Sequence, residues 1–233
     1  MGTESKTAYL KMKVYRISTL AKPPNTRFDT YATVLADDQA FNFINPTKEF
    51  SGAPFSKEWK KQRLYIEKPK LPRPDFFHFG ISKFVCNERA RGLTGEPLEM
   101  CGELLPIEIE RENGDYYLYN VTNCINVVDL EKSRWQTLLY WKNSTQQKPE
   151  EKKEELKILK TPAFIAERLG EESLFKIPED NGTEIYCLER TGDADDGEFK
   201  ALVEKHGLTG LEFKLIWTEE RGLEPRSYDS FLE

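Results

Sequence analysis

One group of side chains that could bind a cation lies in the acidic segment Gly192–Glu204, GDADDGEFKALVE. Asp193, Asp195 and Glu204 fall at the first, third and twelfth positions of a calcium-binding EF-hand loop. The sixth position of that loop needs glycine for its sharp turn, but here it is Glu198. The favoured interpretation is therefore an exposed acidic loop that leads into the N-terminus of a helix.

Histidine and cysteine give weaker indications of chemistry. His78 lies among three phenylalanines and is predicted to be a packing residue, while His206 is explained by a position in the last turn of a predicted helix. The four cysteines are scattered without a CxxC pair, which argues against a zinc site. In a reducing compartment they are predicted to be free and buried. They are Cys86, Cys101, Cys124 and Cys187.

The chain contains no glycine-rich phosphate-binding loop, no HExxH and no GxSxG. Carboxylates cluster around an Asn-Gly turn at Glu108, Glu110, Glu112 and Asp115, where they are predicted to form an exposed strand face and turn. A catalytic carboxylate pair is defined by its distance in space, so none can be selected from the sequence. An enzyme whose site is assembled from scattered carboxylates or cysteines stays open as the alternative function, and no cofactor is predicted.

The bulk composition limits the classes of partner. The 233 residues carry a formal net charge of −6, with 32% charged and 38% hydrophobic residues. An acidic chain is a poor match for nucleic acid, which needs a basic face, but it can attract a basic protein. No apolar run approaches the ~20 residues of a membrane span, and residues 1–15 contain no apolar core of a signal peptide. We therefore expect a cytoplasmic protein that does not bind membranes.

Alternation and turn signals predict mainly strands. Two Asn-Gly dipeptides, at 113–114 and 181–182, predict hairpins. Thr161 and Pro162 are predicted to begin a short helix that ends at Leu169. The predicted strands cover residues 8–17 (half-buried), 30–36, 63–67, 104–110, 116–121, 125–130, 137–142, 157–160, 174–178 and 183–190.

One short pattern occurs twice at a constant offset of 115 residues. Residues 84–100 and 199–215 share a phenylalanine and a Gly-Leu-Thr-Gly run, at 92–95 and 207–210. A glycine commonly ends a helix in the left-handed conformation. We therefore predict a helix, a glycine stop, a turn and a strand in each copy. Ser82 is predicted to cap the first helix and Asp196 the second, and Leu98 and Met100 are placed on the first strand.

The order of elements predicts an α+β fold of mainly antiparallel sheets with a few short helices. The repeat predicts two related halves, residues 1–142 and 143–233, packed as one compact body. The polar stretch 143–156 is predicted to be a loop, or the exposed start of a helix, at their boundary.

Two stretches carry a resemblance to a known family: residues 102–135 and residues 174–217. Their matching features include Leu-Pro-Ile-Glu at 105–108, Val-Asp-Leu-Glu-Lys-Ser at 128–133, Leu-Phe-Lys-Ile-Pro at 174–178 and the second Gly-Leu-Thr-Gly. On these the chain resembles the eleventh family of immunity proteins from bacterial polymorphic-toxin systems, which was first catalogued as a domain of unknown function. The likeness extends from about residue 75 to 217 and is poor over the first 70 residues.

The resemblance implies a cytoplasmic antitoxin that binds a cognate toxin protein and blocks it. It implies no catalytic residues, no metal and no cofactor. Exposure and charge make two acidic segments the predicted partner-binding sites, because charged interfaces steer association. Their residues are Asp193, Asp195, Asp196 and Glu198 in the first, and Glu112 and Asp115 in the second.

Overall fold

The computed structural model describes residues 11–19, 22–23, 30–36, 52–80, 82–141 and 153–224; for 138–141 and 153–156 it describes the backbone alone. Within these ranges there are two α-helices, α1 (Glu88–Cys101) and α2 (Phe199–Lys205), and two 3-10 turns, Ala166–Arg168 and Pro178–Asp180. The strands are β1 (Lys13–Ser18), β2 (Val34–Ala36), β3 (Gln62–Ile66), β4 (Phe76–His78), β5 (Lys83–Asn87), β6 (Gly102–Ile109), β7 (Tyr116–Val121), β8 (Val128–Trp141), β9 (Lys153–Phe164), β10 (Leu174–Phe175), β11 (Ile185–Glu189), β12 (Glu212–Thr218) and β13 (Gly222–Leu223).

The strands form three sheets. A five-stranded sheet has the order β10-β11-β1-β12-β13, a six-stranded sheet has the order β2-β3-β6-β7-β5-β4, and β8 pairs with β9. All neighbouring strands run antiparallel except β3 and β6, which are parallel. The predicted α+β fold with mainly antiparallel sheets is confirmed. No helix of the described residues is long and apolar enough to cross a membrane.

The main core lies between the five-stranded and six-stranded sheets. It joins Tyr15 and Ile185 from the first sheet to Phe84 and Tyr119 from the second, and both helices contribute to it. A second apolar cluster covers the outer face of the six-stranded sheet, and a third packs the β8–β9 pair on the five-stranded sheet. Because side chains alternate along a strand, each sheet can supply two of these clusters.

Strand β1 is buried on both faces, which differs from the half-buried strand predicted over residues 8–17. It lies between β11 and β12, so Val14 faces the third cluster while Tyr15 and Ile17 face the main core. Both faces of this sheet are covered, one by the main core and one by the third cluster, whereas Lys11 and Lys13 suggested a solvent face. Residues 8–10 lie outside the described residues.

The first Gly-Leu-Thr-Gly run does not end a helix, so that prediction is wrong. Residues 83–87 form β5, Asn87 caps α1 by accepting a hydrogen bond from the amide of Ala90, and the helix continues through Gly92–Gly95 to Cys101. The reason is a buried stripe at helical spacing, formed by Ala90, Thr94, Leu98 and Cys101. Burial along this stripe outweighs the weak helix propensity of the two glycines. Ser82 is no cap and precedes β5 at φ 54°, and Leu98 and Met100 lie in the helix.

The second Gly-Leu-Thr-Gly run follows a helix and leads into a strand, as was predicted for both runs. Helix α2 ends at Lys205, Gly207 follows at φ 56°, and β12 begins at Glu212. The predicted cap Asp196 is wrong: Glu198 occupies the N-cap, and its side chain does not cap the helix. One run inside a helix and one after a helix are not copies of a unit, so the predicted internal repeat is wrong.

Thr209 in the second run ties the two larger sheets together. Its amide and hydroxyl both donate to Asp75 Oδ2, at 2.9 and 3.0 Å, while its carbonyl accepts from the amide of Phe76 at 2.9 Å. Arg89 also donates to Asp75 and to the carbonyl of His206. Burial alone would raise the pKa of Asp75, but hydrogen bonds from Thr209, Arg89 and Asn87 outweigh it and lower that pKa.

The predicted helix from Thr161 to Leu169 is also wrong. Thr161 pairs with Arg134 in the β8–β9 ladder, and Ala163 and Phe164 are buried against the five-stranded sheet. Pairing and burial hold the segment extended, and only the single 3-10 turn Ala166–Arg168 follows. Residues 153–156, predicted to be loop or helix, belong to β9, and 143–152 lie outside the described residues.

The two Asn-Gly hairpin predictions are confirmed. β6 and β7 are antiparallel neighbours on either side of Gly114, and β10 pairs antiparallel with β11. Asn181 and Gly182 both adopt left-handed backbone conformations, at φ 58° and 63°, as a tight primed turn requires.

The predicted boundary between halves, at residues 142 and 143, lies outside the described residues. Two features cross it: β1, from the first predicted half, forms the centre of the sheet that contains β10–β13, and α1 and α2 share the main core.

Candidate functional site

The acidic loop is the segment Thr191–Gly197 before α2. The carboxylate of Glu198 holds the backbone at its start. Glu198 Oε1 accepts hydrogen bonds from the amides of Arg190 and Thr191 at 2.7 and 2.8 Å, and Oε2 accepts from Gly192 at 2.8 Å. Glu198 is only 7% exposed. Three charge-assisted bonds from consecutive amides to this one carboxylate fix the start of the loop.

The rest of the loop is bonded within itself. The amide of Asp193 donates to Thr191 Oγ1, the amide of Asp195 donates to Asp193 Oδ1, and Gly197 closes a turn onto the carbonyl of Ala194. Glycine is required at 197 because φ there is 75°. The loop is therefore built to a defined shape.

Three aspartates of the acidic loop are exposed: Asp193, Asp195 and Asp196. Asp195 hydrogen-bonds to Lys205 of α2, and this bond lowers the pKa of Asp195 and raises that of Lys205. Asp193 and Asp196 have no ion-pair partner among the described residues. The loop thus presents two unpaired carboxylates and one paired carboxylate to solvent.

A buried ion-pair network lies under the loop. Glu189, 5% exposed, accepts from Lys13 at 2.7 Å, from Lys200 at 3.0 Å and from the hydroxyl of Tyr15 at 3.1 Å. Burial would raise the pKa of Glu189, but the bonds from Lys13 and Lys200 outweigh it and lower that pKa. Burial and the charge of Glu189 raise the pKa of Tyr15 to about 12. This network fixes β11, β1 and α2 relative to one another beneath the acidic loop.

The second predicted acidic segment is less available. Glu112 accepts two hydrogen bonds from Arg73, at 3.1 and 2.7 Å, while Asp115 is exposed. No hydrogen bond or ion pair joins this hairpin to the acidic loop within the described ranges. Of the six predicted partner-binding residues, Asp193, Asp195 and Asp196 are exposed together, Asp115 is exposed elsewhere, and Glu198 and Glu112 are engaged in holding the structure.

The histidines lie in different surroundings. His206 follows the last residue of α2 and accepts from Arg89 through its carbonyl. His78 Nδ1 lies 2.6 Å from Thr19 Oγ1, and burial lowers the pKa of the imidazole, which favours its neutral form.

All four cysteines are free, as predicted. Cys86, Cys101 and Cys187 are also buried as predicted, whereas Cys124 is exposed, so the prediction of burial is wrong for Cys124. Burial raises the pKa of every one of these thiols, to about 12 for Cys86. Protonated thiols are poor nucleophiles and poor metal ligands. No group of three or more His, Cys, Asp or Glu side chains that could hold a metal ion occurs in the described part of the chain.

A cleft of about 540 Å³ opens where one end of the five-stranded sheet meets the β4–β5 turn. Arg16 on β1 and Lys214 on β12 line it and are direct cross-strand partners. Glu184 and Glu212 also line it, as do Ser82 and His78. None of the six predicted partner-binding residues contributes to the cleft.

Sequence reasoning missed Arg16, Ser82 and Lys214. Nothing in a single sequence links Arg16 to Lys214, because they are almost two hundred positions apart and meet only through the register of β1 with β12. Ser82 was noticed as a helix cap, a role that its position before β5 excludes.

Comparison with known proteins gave no assignment. No protein-family model matches the chain, and no curated protein matches it.

Proposed function

We propose that this chain is an immunity protein that binds a cognate bacterial polymorphic toxin in the cytoplasm and blocks it. The observation that carries the proposal is the acidic loop, in which a buried glutamate and internal turns fix three exposed aspartates. A preformed charged loop loses little conformational entropy on binding. It also attracts a basic partner before contact and so speeds association.

The class of partner comes from the sequence resemblance over residues 102–135 and 174–217. Its motifs fall on scaffold elements, with Leu105–Glu108 in β6, Val128–Ser133 in β8 and Leu174–Pro178 at β10. Such motifs belong to the structural scaffold and contain no catalytic residues, which agrees with a protein that acts by binding. The acidic loop lies on this scaffold directly before α2, the helix that precedes the second Gly-Leu-Thr-Gly run.

Inhibition then follows because the bound immunity protein occupies the surface of the toxin. A toxin whose basic surface is covered by the acidic loop cannot present that surface to a negatively charged target or substrate. The residues assigned to the interface are Asp193, Asp195 and Asp196, with Glu198 as a positioning residue beneath them.

The test is co-expression with the toxin-like product of the adjacent gene. We expect that product to arrest growth alone, and we expect this chain to restore growth and to co-purify with it. A neighbour that is not toxic, or a toxin that neither binds this chain nor is relieved by it, would refute the proposal.

A further inference from the structure

The outward face of α1 carries two glycines that no described residue requires. Gly92 and Gly95 lie inside this helix, where glycine is less favourable than alanine. A Cβ at Gly92 would meet no atom within 4 Å, and a Cβ at Gly95 would meet only the side chain of Arg91, at 3.9 Å. Neither glycine adopts a positive φ. The two residues therefore weaken the helix without serving the part of the chain that the structure describes.

A groove of about 470 Å³ lies over these glycines. Its lining residues all belong to α1 and are Arg91, Gly92, Gly95, Glu96, Glu99 and Met100. Met100, 64% exposed, is the most exposed large apolar side chain of the described residues. Small residues let a second helix approach closely, because the side chains at the contact set the distance between packed helices. The groove therefore has the form of a surface on which a helix can dock.

The charge of this face of α1 is negative. Glu88, Glu96 and Glu99 are exposed along the helix. The cation that lines the same groove is Arg91, which lies over the ring of Tyr117 at 4.6 Å and 3.8 Å from Glu99. Glu88 and Glu96 have no ion-pair partner within the described ranges. The face therefore complements a basic partner.

The same face continues the surface of the acidic loop. Arg89, in the first turn of α1, donates to the carbonyl of His206 at 2.8 Å, directly after α2. The neighbouring Lys205 bonds to Asp195 of the acidic loop. Arg89, Lys205 and Asp195 are all exposed. A partner that covers the acidic loop can therefore extend its contact across the end of α2 onto α1.

We propose that the outward face of α1 is a second contact surface for the toxin and that it receives a helix with Lys or Arg side chains beside an apolar ridge. The ridge enters the groove over Gly92 and Gly95 and contacts Met100, while the cations pair with Glu96 and Glu99. This inference rests on the proposed function, and it explains why two glycines persist in a helix that would be more stable without them.

The experiment measures the affinity of the full chain for the toxin encoded beside it by calorimetry, together with urea unfolding of the chain alone. The parent is compared with Gly92→Ala and Gly92→Gln. Both substitutions should stabilise the chain, because alanine and glutamine form helices better than glycine does. Gly92→Gln should nevertheless weaken toxin binding by roughly tenfold or more, and Gly92→Ala should weaken it less, because the added side chain fills the groove.

Two matched controls separate position from bulk and charge. Thr137→Gln adds bulk at an exposed position of β8 and should leave the affinity unchanged. Glu96→Lys should weaken binding by roughly fivefold at low salt, whereas Glu131→Lys, which makes the same charge change on β8, should stay within about twofold of the parent.

The outcomes distinguish this inference from the proposed function. Parent-like affinity in Gly92→Gln would overturn the contact at α1 and leave the acidic-loop interface standing. A loss of affinity together with a loss of stability would also overturn it, because Gly92 would then serve the fold. A parent chain that does not bind the toxin would refute both. An isolated chain that sediments as a dimer, and as a monomer after Gly92→Gln, would assign the face to a second copy and contradict toxin docking.

Discussion

At the scale of single residues, acidic side chains only two positions apart have opposite tasks. Asp196 is exposed, whereas Glu198 is buried and accepts hydrogen bonds from three consecutive amides. The sequence showed the charge of this segment but not which carboxylate turns inward, because that depends on where the amides of Arg190, Thr191 and Gly192 point. Glu198 is therefore a positioning residue and not a member of the binding surface.

Replacing Glu198 by alanine should destabilise the protein by roughly 2 kcal/mol, because three amides lose a buried acceptor. Chemical denaturation measures the change. Glu204→Ala is the matched control: its side chain is 59% exposed, so we expect a change within about 0.5 kcal/mol despite its bond to Lys200. A loss in Glu198→Ala no larger than in Glu204→Ala would show that the carboxylate does not hold the loop.

Asp180 gives a pH-dependent prediction. Burial raises the pKa of Asp180 from 3.8 to about 6, and the charge of Glu184 adds to this effect. The hydrogen bond from the hydroxyl of Tyr186 opposes it but is outweighed. The folded state therefore binds the proton more tightly than the unfolded state. The stabilisation is complete below pH 3.8 and is lost as the pH rises through 6, an effect of up to roughly 3 kcal/mol.

Asp180→Asn replaces the titrating carboxyl with a neutral group. The free energy of unfolding of this variant relative to the parent should therefore rise between pH 4 and pH 7. Urea denaturation at both pH values checks it, and subtraction removes groups that titrate in both proteins. A difference that does not change with pH would contradict the raised pKa.

At the scale of elements, the two Gly-Leu-Thr-Gly runs show how neighbours outside a motif decide its structure. The first lies in α1, where a Cβ on Gly92 would meet nothing within 4 Å and a Cβ on Gly95 would meet only Arg91 at 3.9 Å. The second follows α2, where Gly210 has φ 100° and a Cβ would lie 2.0 Å from the carbonyl oxygen of Phe76. The same four-residue sequence therefore has room for a side chain at its glycines in the first run and requires glycine at position 210 in the second.

The equivalent substitutions in the two runs should have opposite signs. Gly95→Ala should stabilise the protein by about 0.5–1 kcal/mol through helix propensity. Gly210→Ala should destabilise it by roughly 3 kcal/mol or more, because β4 must move and the backbone conformation is unfavourable. Thermal and urea unfolding of both variants test this, and effects of the same sign and size would contradict the opposite requirements of the two runs.

At the scale of the whole molecule, local patterns predicted strands and turns well and helices poorly. β3, β6 and β7 follow from alternation, and the Asn-Gly hairpins follow from backbone chemistry that neighbours do not alter. The errors at Gly92 and Thr161 arose where burial on a distant sheet outweighed a local stop or start signal. The acidic loop was foreseen from composition, whereas the cleft depends on a register between β1 and β12 that no local pattern encodes.

The whole-molecule claim is that an acidic, prearranged loop recognises a basic toxin. Long-range attraction acts before contact and weakens with salt. Loss of this attraction should therefore slow association more than it speeds dissociation, and the slowing should become smaller as ionic strength rises. A control must remove the same charge from elsewhere on the surface; Glu131, exposed on β8, serves this purpose.

The measurement that tests this claim most directly is the association rate of the purified chain with the toxin encoded beside it, for Asp196→Lys and Glu131→Lys, at low and high salt. We predict that Asp196→Lys slows association by roughly tenfold or more at low salt and much less at high salt, while Glu131→Lys stays within about twofold of the parent. Equal rates for the two variants, or an Asp196→Lys rate equal to that of the parent, would contradict recognition through the acidic loop.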